Sequence, residues 1–304
     1  MKKLLKVFGL LSAFFMLSIL TANAETLTIE KQDLVTGETT TYELTEYPDD
    51  ASYPRTEGFK GTLPIEEDEG SEAVPFEIIG DDDRNVVTNT QRVPYRYIGK
   101  LLVYFSDGIS SAGTAFLVGP STVLTAGHCV YSKGKTVTAI QFIPGMNGTS
   151  RPYGTIEATE IHVPAAFRRA VNDDDLANQI KYDYAVLELE SAVGNQLGYF
   201  GLGGYSTKYD LDYLTGRQAT IAGYPGYYGN LLYRHKATIA AFNSDGYVMY
   251  YDMDTEGGQS GSPVIFPISN NYYVVGIHTR AYSAMYNQGR YITKNIYELV
   301  NKYK

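Results

Sequence analysis

The stretch Asp254 to Pro263, DTEGGQSGSP, combines the residue types of a catalytic serine loop, because it holds two serines among three glycines. Glycines allow consecutive backbone N–H groups to converge on a developing oxyanion. A nucleophile elbow would need G-x-S-x-G between a strand and a helix. Here Ser262 replaces the last glycine and a strand-like apolar run follows. We therefore predict Ser260 as the nucleophile, with the N–H groups of Gly258 and Ser260 as the oxyanion hole. An ordinary Gly/Ser turn is the alternative for this loop taken alone.

The base that activates such a serine is best supplied by His128, in the string VLTAGHCV. Small residues around it leave room for the imidazole to reach into a cleft. The string TAGHC resembles the histidine motif of chymotrypsin-like proteases. Two of the other three histidines, His162 and His235, lack such surroundings, and we expect them to be structural or surface residues.

An acid must orient that histidine and stabilise the imidazolium. Asp183 precedes an alternating strand in KYDYAVLEL, the position expected of this acid, and it is our candidate. The alternatives lie in an acidic run typical of a solvated loop and in a Tyr-rich loop. They are Asp173, Asp174 and Asp175, and Asp210 and Asp212.

The three candidates follow in the order His, Asp, Ser, which is that of chymotrypsin-like proteases and not of other hydrolase folds. Cys129 is an alternative nucleophile. It adjoins His128 in one segment, so the two side chains should diverge, and we expect a buried, inert thiol. A single cysteine allows no intramolecular disulfide, so the fold must rest on its core.

The elements that position these residues are short strands. From Ile78 onward, apolar runs such as IGKLLVYF, AFLVGPSTVLTA and YYVVGIHT alternate with turn residues, which predicts an all-β barrel or sandwich. In AVLELE, alternation predicts a half-buried strand with Glu188 and Glu190 outward. The terminal YITKNIYELVNKYK has an apolar helical face. It predicts an amphipathic helix packed on the last barrel.

The N-terminal residues have a different composition. Residues 1–24 combine a lysine-rich start, a 14-residue apolar stretch and the string Ala-Asn-Ala, which predicts a secretory signal peptide. The stretch is too short for a membrane span. Residues 25–77 are rich in Pro, Gly and acid: 14 Asp and Glu stand against three basic residues before Glu77. We interpret residues 25–77 as an acidic propeptide, with a weak hairpin near Val35–Glu38. A solvated disordered arm is the alternative.

From about Glu77 onward the chain resembles the bacterial glutamyl endopeptidases of Staphylococcus and Bacillus, which are chymotrypsin-like serine proteases. The resemblance rests on IIGDDDRNVVTNTQRVPYRYIGKL, TAGHCV, YDYAVLEL, GGQSGSPV and GIHTR. It implies two six-stranded Greek-key β-barrels with the site between them, and cleavage after Glu, less often Asp. We expect residues 78–195 to form the barrel with His128 and Asp183. Residues 196–304 would form the barrel with Ser260 and the C-terminal helix.

The same resemblance implies that Thr255 and His278 line the pocket for the acidic side chain of the substrate. Both can donate a hydrogen bond to a carboxylate. Without the resemblance, His278 would be read as a core histidine at a strand end. In some members the mature amino terminus also contacts this carboxylate. We therefore expect a cut after Phe76 or Glu77, and little activity toward Glu substrates before it. Gln259 has no charge, which argues against pairing of a new amino terminus with the residue before the nucleophile.

The remaining expectations concern partners. The chemistry needs no cofactor or metal, although GDDDR and NDDD hold oxygen ligands of the kind Ca²⁺ prefers. Acidic surface loops explain these strings as well. The chain has a net charge of −9 and no basic footprint for nucleic acid. We expect a secreted monomer, free of the membrane once the signal is removed, acting on proteins or peptides with Glu at the cleavage site. A narrow protease resembling the exfoliative toxins and an inactive binding protein remain alternatives.

Overall fold

The structure is a computed structural model that describes residues 26–48, 51–64, 79, 82–203, 208–269 and 271–304. The predicted signal peptide and both predicted cleavage points lie outside the described residues. They stay predictions.

The elements are mostly short strands. The strands are β1 Thr26–Asp33, β2 Thr39–Thr45, β3 Asn85–Val86, β4 Ile98–Phe105, β5 Ser110–Leu117, β6 Thr122–Thr125, β7 Val137–Pro144, β8 Ile156–Pro164, β9 Ala185–Leu189, β10 Gly201–Leu202, β11 Gln218–Gly223, β12 Tyr233–Phe242, β13 Val248–Tyr251, β14 Pro263–Ile268, β15 Asn271–Ala281 and β16 Asn287–Tyr291. The helices are α1 Gly127–Val130, α2 Ala165–Asn172, α3 Leu176–Tyr182, α4 Gly194–Leu197, α5 Lys208–Leu214 and α6 Lys294–Asn301, with a 3₁₀ turn at Tyr95–Tyr97.

Each of the two sheets closes on itself. In the first, the strand order β8-β7-β4-β5-β6-β9 is closed by pairing of β9 with β8. In the second, the order β15-β14-β11-β12-β13-β16 is closed by pairing of β16 with β15. All pairs within the two rings are antiparallel. The prediction of two six-stranded barrels is therefore confirmed, and closure leaves neither ring a free edge.

Strand β9 shows why its pattern was only partly readable. The inward residues Ala185, Leu187 and Leu189 are buried as expected, and Glu190 is exposed. Val186 is buried as well, and Glu188 is half-buried. The predicted outward face is thus largely covered, because other segments of the chain pack over this barrel.

The segments that flank the barrels cross between them. The short strand β3, within the range predicted for the first barrel, pairs with β12 of the second. The C-terminal helix α6 forms as predicted, and its buried residues Ile296, Leu299 and Val300 belong to a core cluster that contains residues of both barrels. The Tyr303 carbonyl, just beyond α6, accepts from Thr122 of β6, and its ring stacks on His162 of β8 at 4.0 Å. The chain end therefore also contacts the first barrel, which the prediction of packing on the last barrel did not include.

Residues 26–64 are folded where the structure describes them. Strands β1 and β2 form a hairpin with Gly37 at φ +77 in its turn, and β1 adds to β8 of the first barrel. A disordered arm is thereby excluded for the described residues of this segment. Over all the residues that the structure describes, no helix is long and apolar enough to cross a bilayer.

Candidate active site

His128 and Asp183 are brought together by one strand pair. Strands β6 and β9 run antiparallel with Thr125 opposite Ala185. Residues that follow β6 therefore lie opposite those that precede β9. His128 lies in the short helix α1 just after β6, and Asp183 lies just before β9.

The contact between the two side chains is short. The Nδ1 atom of His128 is 2.8 Å from Oδ2 of Asp183 and 3.1 Å from Oδ1. The backbone N–H of His128 donates to the same carboxylate at 2.9 Å. Because Asp183 only accepts, it holds the proton on Nδ1 and leaves Nε2 as the basic nitrogen.

The pKa values of the pair diverge for electrostatic reasons. Desolvation alone would lower the pKa of His128, but the Asp183 carboxylate, with a smaller contribution from Cys129, raises that pKa well above 6.5. Burial would raise the pKa of Asp183, yet the charges of His128 and Arg280 hold it below its ordinary value. Arg280 reaches Asp183 at 3.4 Å.

The serine loop belongs to the second barrel but is tied to the first. The Ser260 carbonyl accepts from the Thr114 N–H of β5 at 2.8 Å and lies 3.5 Å from Sγ of Cys129. The Thr114 hydroxyl donates to the Gly258 carbonyl at 3.0 Å. Ser260 thus lies beside the residue that follows His128. Cys129 is buried, as predicted.

The backbone around Ser260 has a conformation in which N–H groups can bind an anion. Gly258 has φ +99, and a Cβ there would lie 2.7 Å from the Gly226 nitrogen and the Tyr224 carbonyl. Among the described residues, no hydrogen bond takes the N–H of Gly258 or of Ser260. Ser262 is buried and donates its hydroxyl to the Gln259 carbonyl at 2.5 Å. It braces the loop.

Gln259, which precedes Ser260, contacts the buried guanidinium of Arg84. Nη1 of Arg84 donates to its Oε1 at 2.9 Å, and the Glu256 N–H donates to the same atom at 3.0 Å. Arg84 also forms two hydrogen bonds of 3.0 and 2.9 Å with Asp82. The segment after the predicted cleavage point is therefore fixed directly to the nucleophile loop.

Asp254, at the start of this loop, makes a second connection to the same segment. Its buried carboxylate accepts from the backbone N–H groups of Ile79 at 2.9 Å and Asp83 at 3.2 Å. His235 lies beside it, with Nδ1 at 3.2 Å. Burial would raise the pKa of Asp254, but these donors and His235 lower it. His235 is therefore a structural neighbour of the loop.

His278 and Thr255 lie on either side of the serine in sequence. His278 is buried on β15, and its backbone pairs with the loop: its carbonyl accepts from Gly261 and its N–H donates to Ser262, both at 2.8 Å. Its Nδ1 is 2.6 Å from the hydroxyl of Tyr251. Burial lowers its pKa to about 3, so the ring is neutral at physiological pH. Thr255 is partly exposed in the loop.

The alternative acids and the remaining histidine lie elsewhere. Asp173, Asp174 and Asp175 are exposed in the connection between α2 and α3, where Asp175 caps α3 through the Asn178 N–H. His162 is buried beside Tyr303, and burial lowers its pKa to about 3. These positions agree with the structural roles expected of them.

Four contributors to the site were missed by the sequence analysis: Thr114, Tyr251, Arg84 and Arg280. Each contacts a residue at least 27 positions away. The last two stand in quoted strings, GDDDR and GIHTR, yet no local signal announces their partners. They could have been found only from the packing of the chain.

Two six-stranded barrels with a hydrogen-bonded His–Asp pair and a glycine-rich serine loop define the class of trypsin-like serine peptidases. The sequence matches the trypsin-like peptidase domain family over residues 113–277. A glutamyl endopeptidase of Bacillus licheniformis is 39% identical over 237 residues, which cover 75% of this chain and 69% of that protein. The chain therefore belongs to the trypsin-like peptidases and, among them, to the glutamyl endopeptidases.

Other relatives extend the comparison. A protein named extracellular metalloprotease, from Bacillus subtilis, is 34% identical over 231 residues, covering 73% of this chain and 68% of that protein. A solved Glu endopeptidase superimposes with a TM-score of 0.61 at 30% identity, covering 74% of this chain and 98% of the other. The protease Anisep of Arthrobacter nicotinovorans shares the fold, with a TM-score of 0.56 at 19% identity. In the described ranges, no group of three or more His, Cys, Asp or Glu is arranged to hold a metal.

Proposed function

We propose that this serine peptidase is secreted and cuts peptide bonds on the carboxyl side of Glu, less often Asp, with Ser260, His128 and Asp183 as its triad. The contact of 2.8 Å between His128 Nδ1 and Asp183 carries the proposal. It directs the basic nitrogen away from the acid. The Ser260 carbonyl lies 3.5 Å from Sγ of Cys129, the residue after His128. This proximity supports an approach of the serine hydroxyl to Nε2 of His128.

The residues then have defined steps. Ser260 Oγ attacks the carbonyl carbon of the scissile bond while His128 Nε2 takes the hydroxyl proton. The N–H groups of Gly258 and Ser260 donate to the oxyanion of the tetrahedral intermediate. Imidazolium gives its proton to the leaving amine, which leaves an acyl-enzyme. Water, deprotonated by His128, then hydrolyses the ester and restores the serine.

The preference for an acidic side chain is assigned to Thr255 and His278. The similarity to glutamyl endopeptidases supports this assignment, and so does the position of His278, whose backbone pairs with the nucleophile loop. A neutral His278, held by Tyr251, offers an N–H to a carboxylate without bringing a charge of its own. Thr255 offers its hydroxyl.

The rest of the chain is assigned to export and processing. Residues 1–24 act as a signal peptide and residues 25–77 as a propeptide, cut after Phe76 or Glu77. The barrels divide at residues 78–195 and 196–304, and the mature enzyme is a monomer. The B. subtilis relative is named as an extracellular protein, which supports export of this chain.

Labelling with a serine-reactive phosphonate tests the triad. We expect the processed protein to be labelled once, at Ser260, and the Ser260→Ala variant not to be labelled. Labelling must persist in a Ser262→Ala variant that remains folded. Absence of labelling in processed protein would favour an inactive protease-fold binding protein. Loss of proteolysis with a chelator, without loss of labelling, would instead point to the chemistry named for the B. subtilis relative.

A peptide panel that varies only the residue before the scissile bond tests the specificity. We expect kcat/KM to be highest for Glu, lower for Asp, and at least 100-fold lower for Gln, because a buried site for a carboxylate rejects a group that cannot complete it. Cleavage of none of these peptides by a protein that is still labelled would favour a narrow protease.

A further inference from the structure

The predicted propeptide is built into the first barrel through its main chain. Strand β1 runs antiparallel to β8 from Ile29 opposite Pro164 to Asp33 opposite Glu160. An added strand of this kind gains affinity from a continuous set of backbone hydrogen bonds. The hairpin thus extends an existing sheet of the peptidase.

Side chains reinforce this strand pairing on both of its faces. Leu27 and Ile29 are 2% and 0% exposed and belong to the core of the first barrel. Lys31 forms an ion pair with Glu160 at 2.6 Å, and Glu30 pairs with Arg168 of α2. Removal of the hairpin would expose apolar core and break both ion pairs.

Beyond the hairpin, the chain continues onto the C-terminal helix. The backbone N–H and carbonyl of Tyr47 bond to the side-chain amide of Asn295 at 2.8 and 2.9 Å. Tyr53 is buried, donates to the Ile292 carbonyl at 2.5 Å, and lies with its ring 4.7 Å from that of Tyr297.

The same segment then reaches the connection between the barrels and the second barrel itself. Phe59 and Tyr199 exchange two backbone hydrogen bonds of 2.9 and 2.7 Å. The carboxylate of Glu57 accepts from the Tyr273 hydroxyl of β15 at 2.7 Å. A Cβ at Gly58 would lie 2.7 Å from the Gly201 nitrogen, so the backbones are in direct contact.

Arg96 shows how deeply the end of this segment is bound. This arginine is only 1% exposed. Its guanidinium donates to the carbonyls of Lys60 at 2.6 Å, Pro64 at 2.9 Å and Leu63 at 3.3 Å, and to Leu197 at 2.7 Å. Three of the four acceptors therefore belong to the segment. A peptidase domain without the segment would lose three of the four acceptors of this guanidinium.

The contacts of this segment leave the proposed catalytic residues free. Across residues 26–48 and 51–64, no hydrogen bond is made to His128, Asp183, Ser260 or His278. The nearest approach in sequence is Glu46, which accepts from the Tyr182 hydroxyl at 2.9 Å. The bound segment is therefore compatible with an accessible site.

We propose that residues 26–64 remain bound after the chain is cut between residues 64 and 79, as a noncovalent structural subunit that braces both barrels. The partner of this surface is the chain's own segment. The inference rests on the proposed function only in that maturation makes such a cut. Cleavage then creates a new amino terminus, while residues 26–64 stay bound to both barrels.

The test uses the full chain without its signal peptide, carrying Ser260→Ala and a site for an unrelated sequence-specific protease in place of residues 65–76. Since this variant needs no catalysis, its outcome is independent of the proposed function. We expect the cut fragment to coelute with the peptidase on gel filtration in native buffer and to separate in denaturant. Free elution of the fragment in native buffer would overturn the proposal.

Matched variants locate the binding surface. In the cut complex, Ile29→Asp should raise the dissociation rate of the fragment at least tenfold, because it places a charge in the core. Thr39→Asp, exposed on β2 and opposite the uncharged Gln32, should leave that rate within twofold. If uncut Ile29→Asp does not fold, Ile29→Ala replaces it with the same expected direction. Equal rates for the Ile29 and Thr39 variants would contradict the proposed surface.

Discussion

His128 and Asp183 show how one residue pair determines the pH range of the site. The carboxylate at 2.8 Å from Nδ1 stabilises the charged imidazole, and it is the main cause that raises the pKa of His128 against the opposing effect of desolvation. The general base must be neutral to accept the serine proton. Activity is therefore lost as pH falls through this raised pKa.

We predict that the acid limb of kcat/KM has its midpoint above pH 6.5. This ratio reports the free enzyme, in which His128 titrates beside Asp183. The measurement is a pH profile with a Glu peptide well below KM. A midpoint at or below 6.5 would mean that burial, and not Asp183, dominates the pKa of His128. His162 and His278 do not contribute, since the pKa of each is lowered to about 3.

Gln259 carries no charge, but a cationic side chain from another part of the chain, Arg84, binds it. Its amide oxygen accepts from Arg84, whose charge is paired with Asp82. The absence of an aspartate before the nucleophile therefore does not leave this position without a cationic partner. The partner is a side chain near the predicted maturation point, in place of a new amino terminus.

Arg84→Met should lower the free energy of unfolding by about 3–5 kcal/mol, because the completely buried Asp82 carboxylate loses its guanidinium. We expect kcat/KM to fall about 10-fold or more through displacement of Gln259. The control is the double variant Arg84→Met with Asp82→Leu, in which part of the stability returns. Chemical denaturation of all four proteins of the cycle measures the coupling, and strict additivity would show that the pair is not coupled.

At the scale of elements, the conformation of the serine loop depends on its glycines and on contacts with both barrels. Gly258 has a positive φ and lies against the backbone at Tyr224 and Gly226. Gly257, next to it, has open space around the position of a Cβ. The two glycines are therefore a natural matched pair for testing how loop geometry supports the oxyanion hole.

Gly258→Ala should lower kcat by about 100-fold or more, since the Cβ would displace one oxyanion donor. Gly257→Ala should retain kcat within about threefold, because nothing lies within 4 Å of its added methyl group. Steady-state kinetics on the two variants, with thermal unfolding as a check of folding, decide the matter. Similar losses of kcat in both variants would contradict the assigned role of Gly258.

Strand β9 holds a carboxyl group, that of Glu188, whose pKa is changed by partial burial. Burial raises the pKa of Glu188 from 4.5 to about 7, with a contribution from the nearby Glu160. A carboxyl whose pKa is raised on folding stabilises the protein fully below pH 4.5, and this contribution is lost as pH rises through 7.

Glu188→Gln should therefore raise the free energy of unfolding at pH 8 by about 1 kcal/mol, a value reduced for partial exposure. It should have no such effect at pH 4, where the carboxyl is protonated in both states. Glu190→Gln, at an exposed position after the same strand, serves as the control. An equal effect of Glu188→Gln at both pH values would show that charge is not the cause.

At the scale of the whole molecule, three segments join the two barrels. The N-terminal segment contacts both, β3 pairs with the second barrel, and the residues after α6 return to the first. Arg96 lies where the first barrel, the connection through Leu197 and residues 60–64 meet.

Arg96→Met should lower the midpoint of thermal unfolding of the uncut chain and the free energy of unfolding by about 3 kcal/mol. It would leave the carbonyls of Lys60, Leu63, Pro64 and Leu197 without this donor. Arg151→Met, at an exposed arginine that donates only to Thr155 among the described residues, should change it by less than about 0.5 kcal/mol. A small effect of Arg96→Met would show that residues 60–64 are weakly held.

The sequence was sufficient for what is encoded locally. Strand β4 coincides with the run IGKLLVYF, and the helix at the C-terminus begins and ends within its amphipathic run. These patterns are readable because period and burial are properties of neighbouring residues. The contacts that Tyr303 makes with the first barrel after this helix were not readable, since its partners Thr122 and His162 lie far back in the chain.

By itself, the sequence determined the residue types of the site, their order and the period of the strands that carry them. Only the tertiary structure decided that Asp183 faces His128, that Arg84 supports Gln259, and that residues 26–64 belong to the folded body. The physical reason is that hydrogen bonds and buried charges are satisfied across barrels. Their partners are distant in sequence and become neighbours only when both rings close.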